Sequence, residues 1–158
     1  MRLGEFARGE FSCLQRVSRL PHCELGEFVH AGRRHSTTFG TTKDGKSIYL
    51  GNPNGLVVKF QGAPVVYHMG DTAMFGDMAL IDEIHQPKIG MVPVGDRFTM
   101  GGHGAAFALK RFFHFDAVFP CHYGTFDLLA PDASAFVAAM QESQTRVHVP
   151  KIGETVDV

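Results

Sequence analysis

Three side chains able to bind a metal ion or carry a proton, Asp71, Asp96 and His122, follow three apolar runs that read as strands. Asp71 comes after residues 63–68, Asp96 after 88–94 and His122 after 116–120. Sites on α/β sheets gather beyond the carboxyl ends of the strands. Imidazole nitrogen and carboxylate oxygen are the usual ligands of Zn²⁺ and related ions, so this spacing permits a metal site assembled from separated loops. The same residues have plainer uses. Asp71, in Gly70-Asp71-Thr72, can close a turn or cap a helix. His122 can be a hydrogen-bonded loop residue, Asp96 can orient its own loop, and His35 lies in a polar stretch. Cys121 reads as a small buried apolar residue. His68, His85, His103, His114 and His148 have no ligand spacing and read as surface or packing residues, and Gly70, Gly95, Gly101 and Gly124 read as positive-φ turn residues.

The elements that must position these groups are regular after Asn54. Residues 55–60 and 63–68 read as strands joined by a Gln61-Gly62 turn. Helical spacing of Phe75, Met78, Ala79, Ile81 and Ile84 predicts a helix over 75–85. A second helix is expected over 102–113, and a third over 131–141 with Pro131 and Asp132 at its start. The runs 88–94 and 116–120 are apolar throughout, as in strands buried on both faces. Residues 145–149 close the series, and 155–158 read as one more strand. The order over 55–158 is β-β-α-β-α-β-α-β, an α/β sheet with helices packed on it. Residues 35–54 are polar and read as a long loop or a short hairpin turning at 43–46. Residues 1–34 show no clean period: Phe6, Phe11, Leu14, Val17 and Leu20 form a loose stripe that Gly4, Gly9 and Pro21 interrupt.

Composition excludes several classes. The chain has 158 residues and a formal net charge of −1, without the basic excess of a nucleic-acid footprint. Hydrophobic residues make up 44% and charged residues 20%, enough apolar surface to bury a core. No apolar run approaches the ~20 residues of a bilayer span, and Met1 to Glu10 lacks the apolar stretch of a secretory signal. Cys13, Cys23 and Cys121 are odd in number and widely spaced, a poor fit to a disulfide framework. The expectation is a cytoplasmic protein without nucleic-acid or membrane partners. Nine histidines in this setting direct attention to a metal or catalytic site.

Four ordered motifs add a resemblance. They are Tyr67-His68-Met69-Gly70-Asp71-Thr72, Phe75-Gly76-Asp77-Met78, Pro93-Val94-Gly95-Asp96-Arg97-Phe98-Thr99-Met100-Gly101 and Pro120-Cys121-His122-Tyr123-Gly124-Thr125-Phe126. Together they resemble the C-terminal portion of a metallo-β-lactamase-fold hydrolase, more narrowly its small metal-dependent hydrolase subfamily. The resemblance covers roughly residues 35–158. It implies an αβ/βα sandwich with one or two divalent metal ions at its edge, zinc in many members, with Mn and Fe suited to the same donors. By resemblance Asp71 matches the carboxylate bridging two ions and His122 the last histidine ligand. His35, in Arg34-His35-Ser36-Thr37, matches the mid-chain histidine ligand, although the flanking Arg33 and Arg34 are unusual there. Asp71 and His122 are thus the implied catalytic residues, and His35, Asp71 and His122 the implied metal ligands. Asp96 would stand behind the site or in a substrate loop.

The family's leading signature, His-x-His-x-Asp-His, has no counterpart here, and His22 and His30 are too far apart to imitate it. Residues 1–34 therefore remain an unassigned segment, residues 35–158 a partial metallo-β-lactamase-like domain, and the chain is expected to be an N-terminally truncated member. The implied reaction is attack of metal-bound hydroxide on an ester, lactam, lactone or phosphodiester centre, with activity impaired by the missing ligands. The alternative is a non-catalytic remnant that serves as a metal-binding or protein-interaction module. A sheet face left uncovered would favour homo-oligomers, with Phe112, Phe113, Phe115 and Phe119 expected near it.

Overall fold

The computed structural model describes residues 29–31, 39–41, 44–49 and 54–158. Its elements are β1 (Val29–Ala31), β2 (Phe39–Thr41), β3 (Ser47–Tyr49), β4 (Gly55–Val58), β5 (Val66–His68), α1 (Met78–His85), β6 (Ile89–Pro93), α2 (Gly102–Phe112), β7 (Ala117–Cys121), α3 (Ser134–Met140) and β8 (Arg146–Val147). Six strands form one sheet in the order β1-β4-β5-β6-β7-β8. The first three pair antiparallel and β5 to β8 pair parallel. The parallel strands take helical crossovers, because a short hairpin cannot return the chain to the same end of the sheet. Separately, β2 pairs antiparallel with β3, which agrees with the hairpin reading over the described residues of that stretch.

One face of the sheet carries the core. Val57, Tyr67, Val92 and Val118 are fully buried and cluster with Met78 and Ile81 of α1, Ala105, Ala106, Ala108 and Leu109 of α2, and Phe136 and Met140 of α3. The small residues of α2 let it approach α3 closely: a Cβ on Gly102 would stand 2.6 Å from the backbone nitrogen of Phe136. Truncating a side chain as buried as Phe136 to Ala costs about 3–5 kcal/mol in comparable cores. The tip of the Phe115 ring lies against β6, where a Cβ on Gly90 would meet it at 2.9 Å, and the ring stacks on Phe113 at 4.7 Å. Asp82 of α1 then ties down the segment between α2 and β7, accepting hydrogen bonds from the His114 backbone N–H at 3.1 Å and pairing with its Nδ1 at 2.6 Å.

Several expectations are corrected. The strand expected over 63–68 is confined to Val66–His68, since Pro64 has no N–H to give a ladder. The helix expected from Phe75 begins at Met78, and the turn before it holds Met78 N–H on the Phe75 carbonyl and Ala79 N–H on that of Gly76. The helix expected from Pro131 begins at Ser134, whose N–H is taken by Asp132 Oδ1 at 2.8 Å. That pairing with Ser134 holds the Asp132 carboxyl below the usual carboxylate range. Residues 155–158 form no strand. Residues 1–34 include β1, which pairs with β4. Phe113 and Phe115 belong to the core rather than to an open face, Phe112 packs against that core, and half-buried Phe119 stacks on His148. Among the described residues, the exposed phenylalanines are Phe98, Phe107 and Phe126. Among the described residues no helix is long and apolar enough to cross a membrane.

Candidate metal site

Strands β5, β6 and β7 run parallel with their carboxyl ends on one edge of the sheet. The loops leaving that edge carry Asp71, Gly95-Asp96 and His122. Past β5, Met69 N–H donates to the Met91 carbonyl at 3.0 Å, and the chain then turns at Gly70, whose φ is +67°. Asp71 follows with an exposed carboxylate. Past β7, the chain enters His122 with φ at +60°, a conformation that costs an L residue roughly 1–2 kcal/mol and persists only where neighbours impose it.

Those neighbours are identifiable. The Cys121 carbonyl accepts Val94 N–H at 3.0 Å, which extends the β6–β7 pairing to the edge of the site. Gly95 then lies directly against His122. A Cβ at Gly95 would run into the His122 carbonyl and come within 2.6 Å of its Nδ1. The Gly95 carbonyl also accepts Ala130 N–H at 3.0 Å, joining the loop after β6 to the loop after β7.

The outcome is a close approach of an acid and an imidazole. His122 Nε2 lies 3.4 Å from Asp71 Oδ2. The imidazole is 17% exposed and the carboxylate 58%, so the pair has a covered side and an open side. His122 Nδ1 is buried and has no hydrogen-bond partner among the described residues.

Two donor atoms that each sit about 2.0–2.1 Å from one tetrahedral ion are roughly 3.3–3.4 Å apart. The observed separation therefore fits two ligands of a shared ion without side-chain movement. Among the described residues no set of three His, Cys, Asp or Glu is arranged around one point. His35 lies outside the described residues.

Asp96 serves its own loop. It adopts φ +72°, its N–H donates to the Met100 carbonyl at 3.0 Å, and its carbonyl accepts Thr99 N–H at 3.2 Å. Its carboxylate lies against Gly101, where a Cβ would stand 2.7 Å from Oδ1. Gly70 and Gly124 have the positive φ expected of them, but Gly95 and Gly101 do not. They form an antiparallel bridge with each other, and each is needed for close approach, to His122 and Asp96 respectively. Cys121 is half-buried rather than buried. Sequence reasoning also passed over His68, whose Nδ1 accepts Gly70 N–H at 3.0 Å. Its place three residues before Asp71, at the end of the same strand, was the available signal.

No family model matches the chain. A "UPF0173 metal-dependent hydrolase" of Chelativorans sp. (strain BNC1) is 57% identical over 131 residues, covering 83% of this chain and 54% of the relative. The chain spans about half the length of the curated relatives it matches. Igni18, described as a novel metallo hydrolase from the archaeon Ignicoccus hospitalis KIN4/I, is 31% identical with a TM-score of 0.66, covering 82% of this chain and 51% of that one. A candidate Zn-dependent hydrolase of the metallo-β-lactamase superfamily from Thermotoga maritima shares the fold at 21% identity and a TM-score of 0.53, covering 78% of this chain and 62% of its own. Over the stretch shared with these proteins, this chain has the fold of the metallo-β-lactamase superfamily.

Proposed function

We propose that the chain supplies metal-holding residues of a metal-dependent hydrolase acting on a small-molecule ester, lactam, lactone or phosphodiester. Asp71 and His122 hold the divalent ion, with zinc the metal that suits an imidazole and a carboxylate in tetrahedral arrangement. His35 is the third ligand in this reading, on the strength of the Arg34-His35-Ser36-Thr37 motif. The observation that carries the proposal is the 3.4 Å separation of Asp71 Oδ2 and His122 Nε2 at the carboxyl ends of two strands of one sheet. The metal-dependent hydrolase names of the relatives agree with it.

When bound, the ion supplies Lewis acidity, polarising a carbonyl or phosphoryl oxygen and favouring ionisation of water. The chain's own groups do the positioning. Gly95 fixes the covered side of the His122 ring, so Nε2 keeps its direction. Asp71 brings negative charge to the open side, where its carboxylate can accept a hydrogen bond from the attacking water and orient it towards substrate.

The test is hydrolysis of ester, lactam, lactone and phosphodiester probes by purified protein, with added zinc and after chelation. Turnover that needs zinc and disappears in Asp71→Asn and His122→Ala supports the reading. Zinc binding without turnover of any probe would reduce the chain to a metal-binding module.

A further inference from the structure

We propose that His68 is the positioning residue of the Asp71 carboxylate, acting through a hydrogen bond from the Gly70 backbone to its Nδ1. The inference rests on the reading of Asp71 as a metal ligand and extends it to the group that aims it. The strand β5 ends at His68, and Met69 N–H is the last to find a partner on β6, at the Met91 carbonyl. The next N–H, that of Gly70, lies beyond the ladder and is received by His68 Nδ1 at 3.0 Å.

Gly70 is the point where the chain changes direction, at φ +67°, with its α-carbon so close to the Asn54 carbonyl that a Cβ would clash. On the other side of Asp71, the buried Thr72 offers its carbonyl to Met100 N–H at 3.0 Å. Asp71 is thus the exposed middle of a short span anchored at residues 69, 70 and 72. The anchor at 70 is the one made by a side chain. Glycine explores both signs of φ at little cost, so an unanchored Gly70 would let Asp71 swing away from His122. A residue present only to pack the sheet would need no acceptor at this position.

The experiment compares His68→Asn with His68→Leu. Asn places Oδ1 near the position of Nδ1 and can accept the Gly70 N–H, whereas Leu supplies volume without an acceptor. Zinc affinity, melting temperature and hydrogen exchange of the Gly70 amide are read for both variants and the wild type. The expected result is that the Asn variant binds zinc within about threefold of wild type. The Leu variant loses about tenfold or more, the scale seen when groups that orient metal ligands are removed, at a melting temperature close to that of the Asn variant. Wild-type zinc affinity in the Leu variant, or an equal loss in both, would overturn the proposal. Failure of the wild type itself to bind zinc would instead count against Asp71 as a ligand. The amide then decides: faster Gly70 exchange in the Leu variant alone supports the role of His68, and equal protection in all three overturns it.

Discussion

Gly95 lies against the His122 imidazole so closely that one added methyl group would come within 2.6 Å of Nδ1 and collide with the His122 carbonyl. This contact joins the loops that follow two neighbouring parallel strands, and it holds the imidazole with Nε2 towards Asp71. Backbone strain at His122 and the missing side chain at Gly95 are two aspects of one arrangement.

Gly95→Ala is therefore expected to lower stability by at least about 2 kcal/mol and to weaken zinc binding, because either the loop or the ring must move. Gly104→Ala is the control. Gly104 lies in α2 with open space around its α-carbon, so the added methyl should raise stability by roughly 0.5–1 kcal/mol. Denaturant unfolding and zinc titration of both variants check the contrast, and equal effects would deny that Gly95 is held by His122.

Tyr67 is fully buried with a hydroxyl that has no partner among the described residues, and burial pushes its phenol above the ordinary tyrosine range. The raised folded-state value means that below about pH 10 neither state ionises and this group adds no pH dependence. Above that pH the unfolded chain releases the Tyr67 proton while the folded chain keeps it, so stability falls by up to about 1.4 kcal/mol per pH unit. Tyr67→Phe should remove this share of the alkaline loss. It should also stabilise the neutral protein by about 1 kcal/mol, as a buried unpaired hydroxyl is removed. Unfolding curves at pH 7 and above pH 10 test both parts, and a destabilised Phe variant at pH 7 would show that the hydroxyl has a partner.

Asp82 receives both the backbone N–H and the Nδ1 of His114 while itself only 13% exposed, whereas His114 is 86% exposed. Asp82→Ala should cost about 1–2 kcal/mol, since it strands a backbone donor. His114→Ala leaves the backbone bond in place and should cost less than about 1 kcal/mol. The two melting temperatures settle the order, and the reverse order would place the weight on the exposed ring.

The parts of the fold that read clearly in sequence are those whose pattern is local. The apolar runs at 88–94 and 116–120 are strands whose residues are mostly buried, and their parallel pairing brings Asp71 and His122 to one edge. What stayed hidden depends on contacts between distant segments. Val29–Ala31 is a strand only because it pairs with β4, and three residues show no period of their own. Gly95 looked like a turn glycine because nothing local shows that His122 will press against it. Phe113 and Phe115 read as candidates for an open face because the sequence does not show which way they turn after α2; they stack on each other in the core, Phe115 against β6. His68 hid its acceptor role behind the alternation of an ordinary strand.

The central claim is that Asp71 and His122 share one ion, and zinc titration of the purified protein, followed by calorimetry, tests it most directly. The account predicts binding by the wild type, with affinity reduced at least about tenfold in both Asp71→Asn and His122→Ala, and a double variant little worse than either single one, since neither donor holds the ion well alone. Unchanged affinity in either single variant, or losses that simply add, would contradict a shared ion.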